Sequence, residues 1–292
     1  MSLTPGLGKR GRFAKISLRA VRVLSDSKLT RINIMSEKGV VFFPERFIEA
    51  TPKDYLLEPY EDVFFSAQDG TRLHGWFVHG PDKRAVLLWF HGNAGNISHR
   101  LHNLKKLHDT LQIPIFIFDY REYGLSEGEI SKAGTFSDAQ GALRYLTSEK
   151  GFQESSVLLF GRSLGTALAV DIASKEECLG VILEAAFTST DDMMRRYFPF
   201  LTLPTTSTVK YDSLSLIESI KSPILFIHGQ FDQTIPASMA RRLFEIAPAT
   251  KDFYEVAGAD HNDTYLVGGR EYFDVWQKFL IDCLNRKESR KS

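Results

Sequence analysis

The 292-residue chain has only two cysteines, Cys178 and Cys283, which exclude a disulfide framework and lack metal-ligand spacing. So little cysteine fits a reducing compartment, and a cytoplasmic location is expected. No stretch approaches the ~18 uninterrupted apolar residues of a membrane span. The first residues also lack the apolar core of a signal peptide, because Lys15, Arg19 and Arg22 interrupt Phe13 to Leu24. Lys and Arg number 36, as do Asp and Glu, so the formal net charge is zero and no nucleic-acid partner is expected. A phosphate-binding glycine loop is missing, and no cofactor is expected. His99, His102 and His108 share one helical stretch, but no carboxylate stands in register with the first two. They read as surface histidines rather than metal ligands.

Zero overall charge hides an uneven distribution. Residues 1–31 carry a net +7, leaving −7 on the remainder. Phe13, Ile16, Ala20, Val23 and Leu24 are spaced for a short basic amphipathic helix. That pattern allows weak peripheral contact with an anionic membrane, although a solvated extension is the simpler expectation. Hydrophobic residues at 43% and charged residues at 25% are ordinary for a globular domain. The expected organisation is a basic extension over 1–40, a catalytic domain over 41–286 and a tail over 287–292.

Within the domain, Asp62 to Ser66 and Leu73 to His79 alternate around Asp69-Gly70, the mark of a hairpin. Continuous apolar runs follow at Ala85 to Phe90, Ile115 to Phe118, Val157 to Phe160, Gly180 to Leu183 and Pro223 to Ile227, and Asp252 to Val256 reads as the last strand. Such runs are strands buried on both faces. Helical spacing separates them over 97–111, 134–150, 164–175, 236–246 and 264–284. This alternation predicts an α/β fold with three layers: a mostly parallel eight-stranded sheet, an antiparallel N-terminal hairpin, and helices on both faces. Asp191 to Asp212 breaks the rhythm, and reads equally as a small lid or a packed connection.

Gly161-Arg162-Ser163-Leu164-Gly165 joins the Val157 strand directly to a helix. A serine on so sharp a turn projects its hydroxyl out of the fold, and glycines fit where backbone crowds it. Ser163 is the candidate nucleophile. It needs a base, and the base needs a carboxylate to fix its tautomer. Asp232, after the strand ending His228-Gly229, and His261, in the loop after the last strand, stand in the chain order this fold uses. Rival acids are Asp260, Asp263 and, most credibly, Glu184. The backbone N–H groups of Leu164 and of Asn93, with Ala94 as the alternative to Asn93, are the candidate oxyanion donors, and His91 is expected to brace the loop.

The segments HGNAGN, DYREYGLSEG, GRSLG, LEAAFTS, HGQFDQTIP and GADHND, in this order, resemble the α/β-hydrolase superfamily. The likeness is to its compact, cap-poor serine hydrolases, including protein depalmitoylases and dienelactone-hydrolase-like esterases, and covers about Glu61 to Leu284. It places Ser163, Asp232 and His261 on the triad and Asn93 and Leu164 on the oxyanion donors. Two positions depart from the pattern: Glu122 stands where Arg-Gly-Tyr-Gly is usual, and Thr166 where a second glycine follows the turn.

The expected function is hydrolysis of carboxylic esters or thioesters of a small-molecule or acylated substrate. The alternatives are a peptidase or acyltransferase with the same triad, and a non-catalytic binding protein on the same scaffold. The oligomeric state is open.

Overall fold

The structure, a computed structural model, describes residues 41–197, 199, 210–248 and 250–290. The basic segment 1–31 and its expected membrane contact lie outside the described residues, as does the rest of 1–40.

In chain order the strands are β1 (Phe43–Pro44), β2 (Tyr60–Ser66), β3 (Arg72–Val78), β4 (Val86–Phe90), β5 (Ala94–Gly95), β6 (Ile115–Phe118), β7 (Val157–Arg162), β8 (Gly180–Glu184), β9 (Ile224–Gly229) and β10 (Lys251–Val256). The helices are α1 (Leu101–Leu111), α2 (Lys132–Arg144), α3 (Leu164–Lys175), α4 (Thr190–Tyr197), α5 (Ser213–Leu216), α6 (Ala237–Ile246), α7 (Thr264–Val267) and α8 (Gly269–Ser289). Eight strands form one mixed sheet in the order β10-β9-β8-β7-β4-β6-β3-β2. Only the β2–β3 and β3–β6 pairings are antiparallel.

Strand periodicity divides the core in two. Val86, Leu88 and Phe90 of β4 face one hydrophobic cluster, with Val157 and Leu159 of β7 and Leu168 and Ile172 of α3. Leu87 and Trp89 face the other, with Leu158 and Phe160, the leucines of α1, and Tyr272, Trp276 and Phe279 of α8. Because successive side chains point to opposite faces, a continuous apolar run can fill both layers at once. The carboxyl ends of β4, β7, β8, β9 and β10 therefore open on one edge of the sheet, where an open α/β sheet gathers functional groups.

Three details refine the expectation. α2 ends at Arg144 and the helix continues as a wider π turn over Tyr145–Glu149, so the helical stretch expected over 134–150 is present. There the Tyr145 ring packs 4.8 Å from that of Phe116 and 5.6 Å from that of Phe65. The last helix is broken before Gly269, whose φ of 52° suits glycine. α8 then runs to Ser289, so a tail beginning at 287 is corrected: the first three of its residues are helical. Lys287 Nζ donates to Ser156 Oγ at 2.5 Å, and Arg290 pairs with Glu177, which holds that end against the body.

The 191–212 segment begins as α4, whose Tyr197 hydroxyl donates to the Thr234 carbonyl at 2.8 Å. It ends at the buried Tyr211, hydrogen-bonded to Thr135 Oγ1 at 2.7 Å. A lid at its centre, 198 and 200–209, lies outside the described residues. Among the described residues no helix is long and apolar enough to cross a membrane.

Candidate active site

β7 ends at Arg162, and the chain turns at Ser163 with φ 51° and ψ −117° before α3 begins. A non-glycine residue there is strained, so surrounding contacts must hold it. Ser163 N–H donates to the Glu184 carbonyl at 2.9 Å, while Thr166 donates to the Ser163 carbonyl from N–H at 3.0 Å and from Oγ1 at 2.7 Å. Thr166 thus adds a hydroxyl cap at the site of the expected second glycine. A Cβ on Gly165 would lie 2.0 Å from the Phe90 carbonyl oxygen, and one on Gly161 2.4 Å from that of Gly165. Both obstacles are backbone. Gly165→Ala must push α3 away from β4, and is expected to cost more than about 3 kcal/mol. A urea midpoint close to the parent's would show that the helix can simply slide.

Asp232 sits in the loop after β9. Its Oδ1 accepts from Thr234 N–H at 2.9 Å and Ile235 N–H at 2.7 Å, leaving Oδ2 to face His261 Nδ1 at 2.7 Å. His228 Nε2–H, which donates to the Ile235 carbonyl at 2.8 Å, stands 3.4 Å from the same Oδ2. Burial pushes the Asp232 carboxyl up, but the hydrogen bonds from His228 and His261 and from Ile235 outweigh it. The net effect holds it well below the usual carboxylate range.

Because an ionised carboxylate only accepts, the His261 proton resides on Nδ1, and Nε2 offers its lone pair to the Ser163 hydroxyl at 3.1 Å. Ser163, His261 and Asp232 are therefore in one hydrogen-bonded line. The rival acids are engaged elsewhere. Asp260 Oδ1 accepts from His261 N–H at 2.7 Å and Gln233 N–H at 2.9 Å, and Asp263 Oδ1 from Asp260 N–H at 2.7 Å. Both shape the loop's main chain. Glu184 is wholly buried, its oxygens held by Thr264 Oγ1 at 2.6 Å, Tyr272 Oη at 2.5 Å and Arg162 Nε at 3.2 Å.

The loop after β4 runs beside Ser163: a Cβ on Gly92 would be 3.6 Å from Ser163 Cβ. The Asn93 side chain anchors this loop, its Oδ1 accepting from Tyr123 Oη at 2.9 Å and Phe43 N–H at 3.3 Å, and its Nδ2 donating to the Val41 carbonyl. β1 pairs with β5 here, so the stretch Val41 to Pro44 braces the loop. His91 is fully buried, and burial pushes its imidazole down to about 3. Neutral, it donates from Nδ1 to the Gly92 carbonyl at 2.7 Å, a structural brace. Among the described residues, no group of three or more His, Cys, Asp or Glu could hold a metal ion.

The comparisons agree with this architecture. The chain is 34% identical over 270 residues to the α/β hydrolase domain-containing protein WAV2 of Arabidopsis thaliana, covering 84% of this chain and 87% of that protein. The chain belongs to the α/β-hydrolase superfamily. Mouse α/β hydrolase domain-containing protein 17C is 33% identical over 225 residues, 75% of this chain and 67% of that protein. Among solved structures, an esterase of Pyrococcus furiosus superposes with a TM-score of 0.71 at 22% identity, over 83% of this chain and 99% of that one. No family model matches.

One departure from the usual α/β-hydrolase pattern has a local explanation. Glu122 takes the φ of 70° that favours glycine, and its Oε2 accepts from Ile130 N–H at 2.9 Å. Sequence reading missed Arg162, which donates to the His261 carbonyl, His228, which stands by the Asp232 carboxylate, and Tyr272, which donates to Glu184. The Gly-x-Ser-x-Gly motif leaves the Arg162 position open, so only the sheet register could have exposed its role.

Proposed function

We propose that this α/β hydrolase is a serine hydrolase that cleaves carboxylic esters or thioesters through an acyl-enzyme at Ser163. The observation that carries the reading is the continuous relay from Ser163 Oγ to His261 Nε2 at 3.1 Å and from His261 Nδ1 to Asp232 Oδ2 at 2.7 Å. A serine hydroxyl with its proton directed at a neutral imidazole is activated for attack. Ser163 Oγ bonds to the substrate carbonyl carbon as its proton passes to His261 Nε2. The oxyanion so formed sits between the N–H groups of Asn93 and Leu164, the latter at the positive end of α3. Collapse breaks the bond to the alcohol or thiol, which leaves with the proton from His261. Water then adds by the same route and releases the carboxylic acid. Asp232 stays ionised throughout and supports the transient imidazolium.

Ester or thioester substrates are favoured over amides by the surroundings. Phe231 is 57% exposed beside Asp232, Tyr197 is 40% exposed and tied to Thr234, and Phe43 is 45% exposed against Asn93. An apolar rim receives an acyl chain, and an alcohol or thiol leaves with less help than an amine.

The test is treatment with a fluorophosphonate, with the adduct located by mass spectrometry, beside turnover of a short-chain p-nitrophenyl ester. Labelling at Ser163 with turnover is the expected result. Labelling without turnover moves the substrate class to long-chain or protein-borne acyl groups, with peptides and acyl acceptors next to be assayed. An inert Ser163 overturns the proposal in favour of a non-catalytic binding protein.

A further inference from the structure

Arg162 and Glu184 close neighbouring parallel strands at paired positions, so their side chains leave the sheet on the same face. Both are buried, and Arg162 Nε lies 3.2 Å from Glu184 Oε1. What separates this pair from an ordinary buried ion pair is where its remaining bonds go. The other arm of the guanidinium donates to the His261 carbonyl at 2.9 Å. The Glu184 backbone carbonyl takes the Ser163 N–H at 2.9 Å. Its carboxylate takes the hydroxyls of Thr264, three residues beyond His261, and of Tyr272 on α8.

Arg162 therefore grips the main chain of the base, and Glu184 grips the main chain of the nucleophile and the loop that carries the base. Each side of the Ser163–His261 hydrogen bond is thus tied to these two residues, the nucleophile turn through the Glu184 main chain and the His261 loop through the two charged side chains. A planar guanidinium suits this task because its rigid fork serves two acceptors in different directions at once, which an ammonium on a flexible stem does not.

We infer that Arg162 and Glu184 are positioning residues that set the Ser163–His261 distance by tying the nucleophile turn to the His261 loop. The inference rests on the serine-hydrolase reading for its effect on turnover, but not for its geometry. Reactions of this kind lose about 100-fold when reacting groups shift by 1 Å.

The experiment compares Glu184→Gln and Arg162→Lys with the parent. Glu184→Gln is nearly isosteric but removes the charge that holds Arg162. Arg162→Lys keeps the charge beside Glu184 and loses the fork, so it serves if the first variant does not fold. Expected are a 10- to 100-fold fall in kcat for a p-nitrophenyl ester with KM changed less than twofold, and an equal fall in the fluorophosphonate labelling rate of each labelled site.

A readout independent of turnover is the low-field proton NMR signal of the His261 Nδ1 proton shared with Asp232, which is expected to shift or broaden by exchange in both variants. Parent-like kcat, or parent-like labelling rates on a smaller labelled fraction, would mean that the pair only stabilises the fold and would overturn the inference. An unchanged Nδ1 signal in a folded variant would overturn it as well. If the parent itself neither labels nor turns over, the hydrolase reading fails separately, and the NMR comparison still decides the positioning role.

Discussion

Ser163→Ala is expected to lower ester turnover by about a million-fold and to abolish fluorophosphonate labelling, with a urea midpoint close to the parent's. The size follows from what is removed. In the proposed mechanism Ser163 Oγ is the atom that forms the acyl bond, and the rate left behind would come only from substrate binding and the oxyanion donors. The fold should tolerate the change because, among the described residues, the side chain's hydrogen bond is to His261 alone, at 3.1 Å, and Ser163 is half-exposed, so water can replace it. The strained turn is held by backbone bonds that alanine keeps: Ser163 N–H to Glu184, and Thr166 to the Ser163 carbonyl. His261→Ala should cost nearly as much as Ser163→Ala, and the double variant little more than either, because the two act as one unit. Additive losses, or turnover surviving Ser163→Ala, would show that the measured activity arises at another group.

The sheet was legible because its central strands are buried on both faces. VLLWF and IFIF fill two layers without interruption, so their boundaries survive in composition. Ser163, Asp232 and His261 could be nominated because each follows a strand at the sheet's carboxyl edge, the buried β7 and β9 and the half-buried edge strand β10. Other features carried no comparable signal. Arg162 and Glu184 meet only because β7 and β8 are neighbours, and Tyr272 reaches Glu184 across 88 residues of sequence. Side-chain pairing at that separation depends on strand order and register, which periodicity does not encode. The helical stretch over 134–150 was legible from its spacing, but not the widening of its last turn over Tyr145–Glu149, where the Tyr145 ring packs on Phe65 and Phe116. Glu122 could be recognised as unusual, while the Ile130 N–H that compensates for its backbone could not.

These two kinds of information bear on different parts of the chemistry. The residues that would form and break bonds sit at strand ends, where local pattern is strong. The groups that fix their geometry arrive from across the sheet, where it is weak. Asp232 belongs to both sets: Oδ1 shapes its own loop through Thr234 and Ile235, and Oδ2 orients His261.

That division of labour makes Asp232→Asn the sharper test of the relay. An asparagine Oδ1 can keep the N–H bonds of Thr234 and Ile235, so the loop retains its shape. The amide NH2 facing His261 then donates where the carboxylate accepted, which drives the imidazole proton to Nε2, opposite Ser163. In that tautomer the base has no lone pair for the hydroxyl, and kcat is expected to fall about 10⁴-fold with KM little changed. Stability should respond with a definite sign. The Asp232 carboxyl is held below the usual carboxylate range, so its ionised form stabilises the fold fully above the unfolded-state value of about 4. That contribution is lost only as pH falls through the lower folded-state value. The parent should therefore exceed the variant in urea midpoint at neutral pH, and the gap should narrow under strong acid. A variant that keeps parent-like kcat would remove Asp232 from the relay, and one whose stability deficit grows on acidification would reverse the assigned sign of its interaction with His228 and His261.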